Sequence, residues 1–226
     1  MKVGTDGIVL GAWTNPGSAK VILDAGAGNG YVGIMQLQRA LPNTKLIGVE
    51  IEPGAAAQCE ENYAIQPFDA QTEVWKCSLQ EAADKPQYAG LVDLMLSNPP
   101  FYRDKPKSPI AARNLARHDD TLKMGDLAKA AMKLLAPGGR LTTIWPMDRK
   151  EEWEGWAHGC GFQIARSVPV QTMRHIEPKR LLSEWVRNNP APNNFTHESP
   201  LTLEGSATLD YTDEYLEIVR PYLRGT

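Results

Sequence analysis

Asn98-Pro99-Pro100-Phe101 is the stretch of this chain best suited to chemistry on a planar amino group. It follows an apolar run over residues 91–96 that reads as a buried strand. Proline cannot donate to a sheet ladder, so the strand stops there, and the first proline holds Asn98 extended. The turn displays one carboxamide, bare carbonyls and one aromatic ring. Those groups suit a flat base or amide bearing an exocyclic NH2. Asn98 Oδ1 and the Pro99 carbonyl accept its two N–H bonds, and Phe101 stacks on its face. Held so, the nitrogen lone pair points at an electrophile, and catalysis is mostly positioning and electrostatic complementarity. No strong general base is evident, and none is required if the proton leaves to water.

A second constellation precedes it. Asp24-x-Gly26-x-Gly28-x-Gly30 follows the short apolar run Val21-Ile22-Leu23, and Glu50 ends another. Gly28 to Gly33 matches the dinucleotide pattern GxGxxG, but the frame falls late. Asp24 also sits in the turn itself, where a carboxylate repels a pyrophosphate that wants bare N–H groups. It does not repel S-adenosylmethionine, whose sulfonium and ammonium are both positive. Glycines at 26, 28 and 30 let the backbone approach such a ligand. Glu50 accepts from both ribose hydroxyls. Glu52 competes for that role but is better placed to begin the following helix.

The elements that must carry these residues alternate. Strands are expected over 21–23, 45–51, 72–77, 91–97 and 140–145, and helices over 31–40, 53–64, 126–136 and 151–159. Asp126 is read as a helix N-cap and Pro137-Gly138-Gly139 as a stop. Trp153, Trp156 and Ala157 share a helical face read as core. Strands over 162–170, 180–186 and 201–203 and a helix over 213–222 close the chain. Such alternation predicts an α/β fold with a Rossmann-like, mostly parallel sheet of about seven strands, helices on both faces and an antiparallel edge. Ligands bind outside the carboxyl ends of strands in these sheets, where Asp24 to Gly30, Glu50 and Asn98 to Phe101 all fall.

At 226 residues the chain suits a single domain. No run of about 18 apolar residues suggests a membrane span, and no apolar signal core indicates export, so the cytoplasm is expected. Three scattered cysteines and four histidines show no metal spacing, so no metal is expected. A net charge of −3 and a pI of about 5.8 argue against a broadly basic nucleic-acid surface. The local exception is the segment after Phe101, with Arg103, Lys105, Lys107, Arg113 and Arg117 against Asp104, Asp119 and Asp120. These five cations are candidate RNA phosphate contacts. A monomer is the working expectation.

Taken together, Asp24-x-Gly-x-Gly-x-Gly, Val49-Glu50 and Asn98-Pro-Pro-Phe resemble a class I S-adenosylmethionine-dependent methyltransferase of the amino-methylating group. The opening block from Met1 to Trp13, Ala116-Arg117-His118 and Tyr211-Thr212-Asp213-Glu214-Tyr215 resemble bacterial tRNA1(Val) adenine N6-methyltransferases. That resemblance implies transfer of a methyl group to the N6 of an adenine beside the valine anticodon, with S-adenosylhomocysteine as product and the tRNA anticodon loop as partner. The target base leaves its stack to react. The resemblance also places Thr5 beside the cofactor, and puts Ser78 where the family usually has an acid that accepts from the cofactor's adenine amino group. Family members usually carry some twenty further residues before the opening block, so a trimmed start is expected. Two alternatives stay open. One is a different acceptor, protein glutamine or ribosomal guanine. The other is an inactive methyltransferase-like RNA-binding module.

Overall fold

Short apolar runs flanked by turn residues become the strands of one open sheet. The computed structural model describes residues 4–99, 122–187 and 196–222. Strands β1 (Val21–Ala25), β2 (Lys45–Val49), β3 (Gln71–Trp75), β4 (Val92–Ser97) and β5 (Leu135–Pro146) run parallel. β1 and β2 are buried on both faces, which is why they read as nearly unbroken apolar runs, whereas the outer strand β3 alternates. Strands β6 (Phe162–Gln171) and β7 (Arg180–Arg187) pair antiparallel, and β7 also lies antiparallel to β5. Short β8 (Thr196–His197) and β9 (Leu201–Thr202) both add parallel to β6. The sheet order is β3-β2-β1-β4-β5-β7-β6-β8, with β9 beside β8 on β6. The antiparallel strand is therefore inserted inside the outer half of the sheet, and two short parallel strands form the margin.

Helices cover both faces. Helices α1 (Thr5–Trp13), α2 (Tyr31–Leu37), α3 (Pro53–Ala64) and α7 (Asp213–Val219) bury Leu10, Val32, Tyr63 and Val219 against Ile22, Leu46, Leu94, Leu96 and Ile144. Helices α4 (Leu79–Ala83), α5 (Met124–Leu134) and α6 (Lys150–Gly159) bury Leu79, Leu127, Leu134 and Trp153 against Leu23, Ile47, Met95 and Trp145. Alternate residues of each strand thus feed opposite cores, and Asp24, between Leu23 and Ala25, faces the α2–α3 side.

Three local expectations change. Helix α5 starts at Met124 behind Lys123, with no side-chain cap. Asp126 sits inside its first turn, where its carboxylate accepts from Gln80 Nε2 at 3.3 Å. The Pro137-Gly138-Gly139 stop lies within β5, because Leu135 already pairs with Val92. The register slips before Leu94 meets Arg140, and Gly138 at φ +77° takes the left-handed turn this requires. Trp156 is 42% exposed rather than core; it lies over Gly125, with Lys129 Nζ 5.5 Å from its ring centre. Trp153 and Ala157 are fully buried as read. Within the opening block, Thr5–Trp13 forms α1, whose residues from Val9 to Trp13 are all buried, so it shows little amphipathic contrast.

Candidate functional site

Trp75, Val49, Ala25, Ser97 and Thr143 are successive register partners across β3, β2, β1, β4 and β5. The next residues on the three central strands are Glu50, Gly26 and Asn98. Neighbouring strands lie about 4.8 Å apart, so these residues line about 10 Å of the sheet's carboxyl edge. Ser97 Oγ donates to the Ala25 carbonyl at 2.9 Å, which fastens the end of β4 to β1 just before Asn98. Asn98 is half-buried and Pro99 buried. Pro100, Phe101 and the cations Arg103, Lys105, Lys107, Arg113 and Arg117 lie outside the described residues.

The glycine loop turns its N–H groups inward. Gly26 and Ala27 donate to the Val49 carbonyl at 2.9 and 3.0 Å, Gly30 to the Ala27 carbonyl at 2.8 Å, and Gly28 to Glu50 Oε2 at 2.8 Å. These four donors are therefore spent within the protein and are not free to cradle a pyrophosphate. Gly26 has φ +74°, and a Cβ there would meet only open space, so its backbone borders the cleft directly. Gly30 has φ +82°, and a Cβ would lie 2.5 Å from the Tyr63 ring. The glycines that complete GxGxxG, Gly30 and Gly33, therefore make room for Tyr63: a Cβ at Gly33 would lie 2.7 Å from its hydroxyl.

The acids are anchored by backbone. Asp24 is 2% exposed and accepts from Gly33 N–H at 2.9 Å. Burial raises its carboxyl from 3.8 to about 7; the Gly33 bond opposes the rise and the negative charge of Glu50 adds to it. Glu50 spans two donors, Gly28 N–H through Oε2 and Glu52 N–H through Oε1, both at 2.8 Å, and each oxygen keeps capacity for a further donor. Glu52 caps α3 through Gly54 and Ala55 N–H, as its position at the helix start suggested.

A cleft opens beside these tips, lined by Gly26, Val49, Glu50, Ile51, Cys77, Ser78, Leu79, Gln80 and Leu122. Ser78 borders it, but its hydroxyl is engaged twice, donating to Glu81 Oε2 at 2.9 Å and accepting from Glu81 N–H at 3.1 Å. Together with the bond from Ser78 N–H to Glu81 Oε2 this is a capping box for α4. Thr5 begins α1, is exposed and does not line the cleft. The start of α1 nevertheless lies over the start of α2, since Tyr31 Oη donates to the Gly4 carbonyl at 3.2 Å. Cys77 lines the cleft with its thiol pushed up by burial, a poor nucleophile at neutral pH. A larger hollow of about 340 Å³ beside Trp13 and Ile218 contains neither the glycine loop nor Asn98, and its position offers no reacting amide.

Three residues join the site that sequence reading passed over. Ile51 presents a 44% exposed apolar side chain at the cleft. Gln80 lines the same cleft from α4. Asn29, inside the glycine loop and 8% exposed, keeps Oδ1 buried without a partner among the described residues. Only Asn29 had a signal, its place inside the glycine motif.

The methyltransferase small domain family matches residues 7–152. A tRNA1(Val) (adenine(37)-N6)-methyltransferase of Porphyromonas gingivalis is 36% identical over 98% of this chain and 88% of its own length. One from Phocaeicola vulgatus is 38% identical over 98% and 90%. In fold, the chain is similar to the crystal structure of a predicted O-methyltransferase from Agrobacterium tumefaciens, with TM-score 0.74 and 17% identity over 96% of each chain. It is also similar to a TehB-like SAM-dependent methyltransferase from Corynebacterium glutamicum, with TM-score 0.51 and 14% identity over 83% of this chain and 89% of that one.

Proposed function

Because this chain belongs to the family of bacterial tRNA1(Val) (adenine(37)-N6)-methyltransferases, we propose that it methylates the N6 amino group of adenine 37 in valine tRNA, acting in the cytoplasm. The observation that carries the reading is the line Glu50–Gly26–Asn98 along one sheet edge, acid and glycine loop on one side and carboxamide on the other. The residues fit S-adenosylmethionine. Gly26 leaves open space where a Cβ would stand, Asn29 Oδ1 is an acceptor with no partner among the described residues, and buried Asp24 gains from a cationic neighbour. Asp24, Gly26, Gly28 and Gly30 hold the methionine side, Glu50 the ribose hydroxyls, and Ile51, Ser78 and Leu122 wall the adenine. When bound, this cofactor supplies an electrophilic methyl group on a sulfonium.

The chain's part in the reaction is positioning. Asn98 Oδ1 and the Pro99 carbonyl accept the two N6 hydrogens, and Phe101 stacks on the base. As the nitrogen becomes cationic both acceptor bonds strengthen, so they stabilise the transition state more than the ground state. The N6 proton is strongly acidic after transfer and leaves to water. Arg103 follows Asn98 by five residues, within roughly 18 Å along the chain, and with Lys105, Lys107, Arg113 and Arg117 it contacts RNA phosphates. Incubation with radiolabelled S-adenosylmethionine and unmodified valine tRNA, followed by nucleoside analysis, tests the reading. Label in N6-methyladenosine is expected; label only in a protein acceptor or in guanosine overturns it.

A further inference from the structure

Gln80 and Asp126 meet across the rim of the cofactor cleft, joining α4 to α5. Gln80 Nε2 donates to Asp126 Oδ2 at 3.3 Å. An ionised carboxylate only accepts, so this contact fixes which way the carboxamide faces: the NH2 turns to Asp126 and Oε1 is left over. Gln80 lines the cleft that also contains Gly26, Glu50 and Ile51, and Oε1 has no partner among the described residues. Ser78 borders the same cleft, but its hydroxyl proton is spent on Glu81 and one of its lone pairs on Glu81 N–H. Glu81, in turn, is held below the usual carboxylate range by Ser78 N–H first and the Ser78 hydroxyl second. That closed box secures the start of α4 and leaves a weak acceptor.

We propose that Gln80, oriented by Asp126, is the residue that recognises the exocyclic amino group of the cofactor's adenine. Gln80 Oε1 accepts that N–H, Ile51 and Leu122 flank the purine, and Ser78 serves to cap α4. Asp126 is a positioning residue, since it touches the ligand only through Gln80. The assignment rests on the reading of this cleft as an S-adenosyl site. It predicts selectivity between an amino group and a carbonyl at the purine 6-position, because a carbonyl there would face Oε1 acceptor to acceptor.

Calorimetric titration with S-adenosylhomocysteine and its inosine counterpart, S-inosylhomocysteine, reads this directly without turnover. The wild type is expected to bind the adenosine compound about tenfold more tightly. Gln80→Leu should bind the two within about twofold of each other. Asp126→Ala frees the carboxamide to rotate and present NH2, so the preference should shrink chiefly through tighter binding of the inosine compound. Ser78→Ala should keep the tenfold ratio while lowering the thermal midpoint, as expected for loss of a helix cap. Ser78→Ala losing the ratio while Gln80→Leu keeps it overturns the assignment and returns recognition to the hydroxyl. Equal wild-type affinities also overturn it. Failure of the wild type to bind either compound overturns the cofactor reading itself, and the assignment with it.

Discussion

Asn98 and Asp24 fail differently when altered, because one serves the acceptor and the other the methyl donor. Asn98→Ala removes an acceptor that matters most as charge grows on nitrogen. Transfer should fall at least 100-fold, while S-adenosylhomocysteine affinity changes less than about threefold; collapse of affinity instead would show that Asn98 holds the cofactor. Asp24 carries a pH signature. Its carboxyl titrates at about 7 in the folded protein, against 3.8 as its ordinary value. Between those values the folded chain retains a proton that the unfolded chain releases, so stability relative to the unfolded state is fully present below 3.8 and lost as pH rises to about 7. The penalty above 7 approaches roughly 4 kcal/mol for a group this buried. Asp24→Asn keeps an acceptor for Gly33 N–H and removes the charge. The apoprotein should therefore melt higher than wild type at pH 8, with the difference vanishing near pH 4, while cofactor binding is lost. Wild-type affinity for the cationic cofactor should fall as pH drops through 7, since the carboxylate must first release its proton. Melting curves and titrations across pH 4–8 check both; an Asp24→Asn apoprotein that melts lower at pH 8 would show that the charge is not a burden.

Elements declared themselves in the sequence where the pattern was local. Strand 21–25 with its glycine turn, and the strand ended by Asn-Pro-Pro, are set by apolar runs and punctuation residues, so the edge positions of Glu50 and Asn98 were legible, whereas Asp24, read as part of the turn, lies inside β1 with its carboxylate buried. Ser78-x-x-Glu81 also carried a local signal, a capping box, which its resemblance-based role as an adenine contact obscured. The Gln80–Asp126 contact joins residues 46 apart and had no signal, because only the packing of α4 beside α5 creates it. The interlock of α3 with the glycine loop was equally hidden, since GxGxxG spacing cannot say which side chain the glycines admit. It predicts a coupling. Gly33→Ala puts a methyl group 2.7 Å from Tyr63 Oη and 3.0 Å from Leu46 Cδ1, and should cost about 1–3 kcal/mol in urea denaturation. Tyr63→Phe removes the closer obstacle, so the double variant should recover part of the Gly33→Ala loss. Strictly additive losses would show that the hydroxyl does not set the glycine requirement.

Across the whole molecule, the opening helix is held to the far half of the sheet by a buried charge cluster. The strand order that creates it could not be read from sequence, since it depends on non-local pairing of β5, β7 and β6. Glu184 on β7, 7% exposed, pairs with Arg140 of β5 at 3.1 Å and Arg166 of β6 at 3.4 Å. The same guanidinium groups donate to the carbonyls of Pro16 and Trp13, and Arg166 lies 3.9 Å over the Trp13 ring. The cluster is thus a clamp as well as an ion pair: one carboxylate aligns two cations that fasten the end of α1 across three strands. Glu184→Gln takes the carboxylate from Arg140 and leaves Arg166 only the more distant Glu198, 3.9 Å away, and should cost roughly 3 kcal/mol, lowering the melting temperature by about 6–12 °C for a chain of this size. Replacing the whole cluster separates the two roles. An ion pair alone is commonly exchanged for apolar residues at no loss, so Glu184→Leu with Arg140→Met and Arg166→Met would regain wild-type stability if charge neutralisation were all that mattered. The clamp predicts incomplete recovery, because two carbonyl hydrogen bonds and the contact with Trp13 are lost as well. Full recovery in the triple variant, with protection of the α1 amides from hydrogen exchange unchanged, would show that α1 is held by its apolar face and that the arginines only balance a charge.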